Sequence, residues 1–170
     1  MSGREGERVQ IRSGDSYDPR VIALLEHHTT TARAQTAPGS AHALDLGELR
    51  APDIALWTGW DRGTLVAVGA LKTLSASHGE VKSMHTTEAA RRRGFAGFML
   101  GHIIAEARAR GMARLSLETG SSDYFKPAVA LYTRHGFVPC GPFEGYVEDS
   151  NSLFLTLELS GPAVRAPVVV

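Results

Sequence analysis

The chain has 170 residues, which is enough for one domain with a sizeable buried core. Its 43% hydrophobic and 21% charged residues are typical of an ordinary soluble globular protein. The 18 basic residues balance the 18 acidic ones, so the composition gives no reason to expect nucleic acid or an anionic membrane as a partner.

Targeting signals and disulfides are not expected. No apolar run is long enough to span a bilayer, and residues 1–7 lack the apolar centre of a signal peptide. The single cysteine, Cys140, cannot form an internal disulfide and fits a reducing compartment. We therefore expect a cytoplasmic protein.

The first half of the chain predicts a strand, two helices and a hairpin. Residues 9–12 alternate like a strand, and Asp18-Pro19 resembles a helix start whose apolar face fades near 29–31. Residues 32–43 read as a loop, followed by a short helix with Leu44, Leu46 and Leu49. Residues 54–60 and 64–74 form a predicted β-hairpin around the turn 61–63.

The second half alternates strands and helices. Strands are predicted at 80–86, 113–119, 137–140 and 152–159, with helices at 91–110 and from Pro127 to Gly136. This order indicates an α/β (α+β) protein, a mixed sheet with helices on both faces. We expect one domain over 1–160 and a flexible tail over 161–170.

A basic, glycine-containing turn opens the longest predicted helix. It reads Arg91-Arg92-Arg93-Gly94-Phe95-Ala96-Gly97. The first N–H groups of a helix have no partner within the helix, and the positive end of the helix dipole lies behind them. Such a turn can bind a pyrophosphate, and three arginines there are unfavourable unless an anion compensates them.

A second motif follows about forty residues later, and the pair resembles a known family. The motif is Ala128-Val129-Ala130-Leu131-Tyr132-Thr133-Arg134-His135-Gly136-Phe137. Together with the basic turn, it is similar to the motifs of the GCN5-related N-acetyltransferase (GNAT) superfamily over about residues 9–159. The resemblance implies a mostly antiparallel sheet of six to seven strands.

The resemblance also implies acetyl-coenzyme A as co-substrate, in an opening between two strands. The pyrophosphate would contact the N–H groups of residues 92–97 beside Arg91. The pantetheine arm would pair with Met84, His85 and Thr86 like an added strand, and one of their N–H groups would polarise the thioester carbonyl.

Two side chains are candidates for proton transfer. Glu80 is similar in placement to the glutamate base of histone-acetylating relatives, although a strand-edge glutamate facing water would explain it as well. Glu118 is the reserve candidate. Tyr132 occupies the motif position whose tyrosine can protonate the coenzyme sulfur in the family, although a helical tyrosine on an apolar face is often a core residue.

Some positions depart from the family pattern. Glu88 replaces a common proline and Thr86 a common valine, both mild changes since the cradle acts through its backbone. Phe125 replaces an asparagine that some relatives use on the pantetheine arm. No metal is expected, because the seven histidines lack a tight ligand spacing.

The leading hypothesis is direct attack of a primary amine on acetyl-coenzyme A in a ternary complex. The alternative is a non-catalytic acyl-coenzyme A sensor or interaction module with the same fold. A nucleotide-binding domain is disfavoured because its phosphate-loop and Gly-x-Gly-x-x-Gly motifs are missing. The acceptor stays open between small molecules and peptides, and an edge strand near the C-terminus could support a homodimer.

Overall fold

A computed structural model describes residues 9–159; the predicted flexible tail at 161–170 lies outside this part. None of the helices between residues 9 and 159 is both long and apolar enough to cross a bilayer. The elements in chain order are β1 (Val9–Ser13), α1 (Pro19–Ala34), α2 (Leu46–Leu49), β2 (Ile54–Asp61), β3 (Thr64–Ser75), β4 (His78–Thr86), α3 (Phe95–Ala109), β5 (Arg114–Gly120), α4 (Lys126–Arg134), β6 (Val138–Pro139) and β7 (Ser152–Glu158).

The strands form one seven-stranded sheet in the order β1-β2-β3-β4-β5-β7-β6. The pair β4–β5 is parallel, and the other neighbouring pairs are antiparallel. The predicted mixed, mostly antiparallel sheet is therefore confirmed. The parallel pair needs a crossover, and α3 supplies it.

Both faces of the sheet are covered by helices, as predicted. On one face, α3 buries an apolar stripe, and its cluster includes Met99, Leu100, Ile103, Leu71 and Leu115. On the other face, α1 and α2 pack Val21, Leu24, Leu25 and Leu49 against Leu56, Val68 and Ala70. The burial of each such side chain stabilises the fold by about 1.5–3 kcal/mol.

Two helix boundaries differ from the prediction. Helix α3 begins at Phe95 rather than at Arg91, because Arg92 and Gly94 have positive φ values of 62° and 86°, which no α-helix accommodates. Helix α1 continues to Ala34 instead of fading at 29–31. Within that stretch, the Thr29 hydroxyl donates to the Leu44 carbonyl at 3.3 Å, a tertiary contact that local propensity could not reveal.

An irregularity in β4 decides which of its side chains face α1. Ser83 has a φ of 56°, and the register with β3 shifts between Val68 and Ala70. Lys82 lies opposite Ala70 and His85 opposite Val68, and both partners belong to the cluster under α1. Side chains three residues apart in a regular strand point to opposite faces. The extra residue therefore places the Lys82 and His85 side chains on the same face.

We predict that Gly69→Ala destabilises the protein. A Cβ at this position would lie 2.8 Å from Met99 Cγ and 2.9 Å from Ile103 Cδ1, where α3 packs on β3. Overpacking of this kind should lower the free energy of unfolding by about 1–3 kcal/mol, measured by urea denaturation.

Gly101→Ala is the matched control. Gly101 lies within α3, and a Cβ there would meet open space. The substitution should raise the free energy of unfolding by about 0.5–1 kcal/mol, because alanine loses less backbone entropy in a helix. Equal stability of the two variants would contradict the described packing of α3.

Candidate active site

The sheet opens between its two parallel strands. The ladder between β4 and β5 consists of His78–Arg114, Gly79–Leu115 and Glu80–Ser116, and it ends there. Farther along β4, His85 and Thr86 still pair with β3 through Val68 and Ala67. The opposite edge of Met84, His85 and Thr86 has no strand partner among residues 9–159, so an extended ligand arm can pair with it.

The basic turn follows directly from the open end of β4. A 3-10 turn at Glu88–Ala90 leads into residues 91–94, and Gly94 precedes α3 in a left-handed conformation. No side chain caps this helix, so its first N–H groups are free to bind an anion. The turn thus meets the geometric requirement for a pyrophosphate cradle.

The side chains of the turn differ in what they contact. The Arg93 guanidinium pairs with Asp61 Oδ2 at 2.8 Å and lies 5.1 Å from the centre of the Phe95 ring. Arg91 and Arg92 are exposed beside it. Phe95 is buried in the core. Arg93 therefore ties the turn to the β2–β3 hairpin, and Phe95 can offer a ligand only its backbone.

Two other residues of the predicted cradle lie where α3 approaches α4. Ala96 is half-buried in the first turn of the helix. A Cβ on Gly97 would lie 3.6 Å from both Leu131 and His135 of α4. The second sequence motif thus borders the first, although the two are far apart in the chain.

Glu80 is buried, with 3% of its surface exposed, and its carboxylate is held by two donors. The Tyr146 hydroxyl donates to Oε2 at 2.7 Å, and Lys82 Nζ donates to the same oxygen at 3.3 Å. Lys82 Nζ also donates to the Tyr146 hydroxyl at 2.9 Å. The sequence also allowed a strand-edge glutamate that faces water. The burial of Glu80 excludes that interpretation.

Sequence reasoning missed the role of Tyr146 in this cluster. Tyr146 lies in the loop between β6 and β7, and its ring packs against Phe143 and Phe154 at 5.1 and 5.6 Å between centroids. Burial and the adjacent Glu80 charge raise its pKa, so the hydroxyl stays protonated and donates. Only the aromatic character of this loop could have signalled the contact.

Tyr132 lies on α4 with 7% of its surface exposed, edge-on to Phe137 at 5.8 Å. Burial and the Glu118 charge raise the pKa of Tyr132, so its phenol keeps a proton at neutral pH. Burial also raises the pKa of Glu118, the reserve candidate. Tyr132 is thus a core residue with a protonated phenol.

Three histidines meet on the α1 side of β4. His28 Nδ1 lies 3.2 Å from His85 Nδ1, and the His27 ring is 5.5 Å from the His85 ring. Burial lowers the pKa of His28 to about 4 and that of His85 to about 3, so both are neutral at neutral pH. In the described part of the chain, no group of three or more His, Cys, Asp or Glu side chains is arranged to hold a metal ion.

The buried carboxylate, the open strand edge and the basic turn follow one another along β4 and its exit. This combination is suited to an acyltransferase that uses a phosphorylated thioester carrier. The model of the Acetyltransferase (GNAT) family matches residues 21–137, more than half of the chain. The protein therefore belongs to the GNAT family, and the resemblance drawn from its two motifs is confirmed.

Two curated relatives align over nearly their whole length. The uncharacterized N-acetyltransferase YsnE of Bacillus subtilis (strain 168) is 44% identical over 151 residues, 89% of this chain and 100% of its own. The uncharacterized N-acetyltransferase YedL of Escherichia coli (strain K12) is 43% identical over 149 residues, 88% of this chain and 94% of its own.

Solved structures share the fold. A putative acyl-CoA N-acyltransferase from Klebsiella pneumoniae superposes with a TM-score of 0.76 at 26% identity, covering 89% of this chain and 97% of its own. The putative acetyltransferase YncA from Salmonella typhimurium, solved with its cofactor acetyl-CoA, has a TM-score of 0.69 at 17% identity. The alignment covers 96% of this chain and 99% of the YncA chain.

We predict that Lys82→Met destabilises the protein. The Lys82 and Glu80 side chains are only 9% and 3% exposed, so removal of the ammonium leaves a buried carboxylate without its counter-charge. The free energy of unfolding should fall by about 3 kcal/mol in urea denaturation, and the double variant Lys82→Met/Glu80→Gln should recover part of this loss. The control is Lys126→Met, whose ion pair with Asp123 is exposed and should contribute less than about 1 kcal/mol.

The histidine cluster predicts a loss of stability in acid. The unfolded chain binds protons on His28 and His85 below about pH 6.5, whereas in the folded protein the pKa values of about 4 and 3 resist protonation. Lowering the pH from 6.5 to 4 should therefore reduce the free energy of unfolding. The variant His28→Asn/His85→Asn should show a shallower decline than the wild type in urea denaturation at stepped pH. An unchanged slope in the double variant would be contrary evidence.

Proposed function

We propose that this protein is an N-acetyltransferase that transfers an acetyl group from acetyl-coenzyme A to a primary amine by direct attack in a ternary complex. The observation that carries the proposal is the unpaired edge of β4, which lies between the helix N-terminal cradle and the buried Glu80. Family membership supports the reaction class, and the acetyl-CoA in the YncA structure supports the donor.

The donor is held mainly by backbone groups. The N–H groups of residues 92–97 bind the pyrophosphate, with Arg91 and Arg92 adding positive charge from the surface. Met84, His85 and Thr86 pair with the pantetheine arm along the open edge of β4. Arg93 contributes its N–H and, through Asp61, fixes the position of the turn.

Glu80 prepares the nucleophile. A primary ammonium has a pKa of about 10, so at neutral pH a positioned base has to remove a proton before the nitrogen can attack. Glu80 accepts that proton, directly or through a water molecule, while Tyr146 and Lys82 hold its Oε2 in place. Both donors bind the same oxygen, which leaves Oε1 for the amine.

The amine nitrogen then forms a bond to the carbonyl carbon, and the carbon–sulfur bond breaks. An N–H group of β4 donates to the carbonyl oxygen while negative charge builds on it. Tyr132 donates its phenolic proton to the departing sulfur, which leaves as the free thiol. The nitrogen loses its second proton to water as the amide forms, and the Tyr132 phenolate regains a proton from water. No covalent enzyme intermediate is needed, because the two substrates react within one complex.

The decisive experiment combines binding with turnover. Acetyl-coenzyme A should bind in titration calorimetry, and a panel of amines should release free thiol. Glu80→Gln should lower kcat by about 10²–10⁴-fold, and Tyr132→Phe should also lower it, with donor affinity unchanged in each variant. Glu158→Gln and Tyr17→Phe, both at exposed positions, are the controls.

Two outcomes would count against the proposal. Unaltered turnover in both Glu80→Gln and Tyr132→Phe would remove these residues from the mechanism. Donor binding without thiol release for any amine would favour the non-catalytic sensor with the same fold.

A further inference from the structure

A small cavity on the α1 side of the sheet reaches Glu80. It has a volume of about 290 Å³, and its walls come from β3, β4, the residue before β2, and the loop between β6 and β7. Its lining includes Asp53, Lys72, Leu74, Glu80, Glu144 and Tyr146. This volume lies just below the range of about 300–1,000 Å³ for small-molecule sites, so the cavity fits a compact ligand.

Lys72 lies directly across the strand pair from Glu80. The two residues are partners in the antiparallel ladder between β3 and β4, so their side chains share a face. Glu80 nevertheless turns to Lys82 and Tyr146. Within residues 9–159, the half-buried Lys72 forms no ion pair or side-chain hydrogen bond.

The charges around the cavity leave Lys72 as the cation in need of a partner. Two ammonium groups, those of Lys72 and Lys82, flank one buried carboxylate. Asp53 and Glu144 also line the cavity, but both are exposed, so water and salt screen their charges. A half-buried ammonium that forms no ion pair within residues 9–159 can pair with the anionic group of a ligand.

We propose that this cavity is the acceptor site and that it selects small amines carrying a carboxylate next to the amino group, that is, amino acids. Lys72 pairs with the acceptor carboxylate while Glu80 takes the proton from its amine. Directly paired positions on a sheet lie about 4.5–5.5 Å apart at Cβ, close enough for the two ends of one small amino acid. This inference rests on the proposed acetyl transfer, and it makes Lys72 the residue that determines specificity.

The test compares matched acceptors. Each amino acid of a panel is assayed beside its amide and its decarboxylated amine, with free thiol as the readout. One charge-assisted hydrogen bond corresponds to about a tenfold or larger preference in kcat/KM for the amino acid. In Lys72→Met the KM for the amino acid should rise until the preference disappears, and Lys72→Arg should keep it. The control Lys126→Met, at an exposed site outside the cavity, should retain the wild-type preference.

The outcomes separate this inference from the proposed function. Acetyl transfer without a carboxylate preference, or with a preference that survives Lys72→Met, overturns the inference and leaves the transferase activity standing. Donor binding without thiol release contradicts the proposed acetyl transfer. In that case, titration calorimetry of the same panel into coenzyme-A-loaded protein measures whether the cavity binds amino acids. If the wild type binds amino acids and Lys72→Met does not, the cavity is upheld as an amino acid site. If the wild type binds no amino acid, the inference is overturned.

Discussion

The parallel pairing between β4 and β5 lasts for three residue pairs, and the rest of the site depends on its early end. Unpaired strand N–H and C=O groups inside a protein need a partner, and the unpaired edge of β4 can offer them to an extended ligand. The crossover that joins the two strands supplies α3, whose N-terminus lies at the same opening. The unpaired edge of β4 and the start of α3 therefore follow one another along the chain.

The bulge at Ser83 decides which side chains of β4 share a face. Without an extra residue in β4, His85 would face α3 rather than α1, since side chains alternate along a strand. With it, Glu80, Lys82 and His85 share the face covered by α1 and by the loop that carries Tyr146. A buried carboxylate is costly unless donors satisfy it, and this face provides both an ammonium and a phenol.

The sequence predicted the scaffold well because the relevant signals are local. Apolar periodicity located most strands and helices, and the basic turn marked the start of α3 to within four residues. The positive φ values at Arg92 and Gly94 delay the start of α3 to Phe95. Helix α1 is longer than predicted, and the Thr29 hydroxyl within it donates to the carbonyl of Leu44. Both differences come from backbone conformation or tertiary contacts that a short window of sequence does not contain.

By itself the sequence determined the fold class and the family, because these follow from periodicity and from motifs that act through the backbone. Only the tertiary structure decided the surroundings of Glu80. Tyr146 reaches it from 66 residues farther along the chain, and Lys72 faces it through strand register. The three imidazoles of His27, His28 and His85 likewise meet only when α1 packs on β4. Distances across a sheet and burial of charge are properties of the folded chain, and no local pattern encodes them.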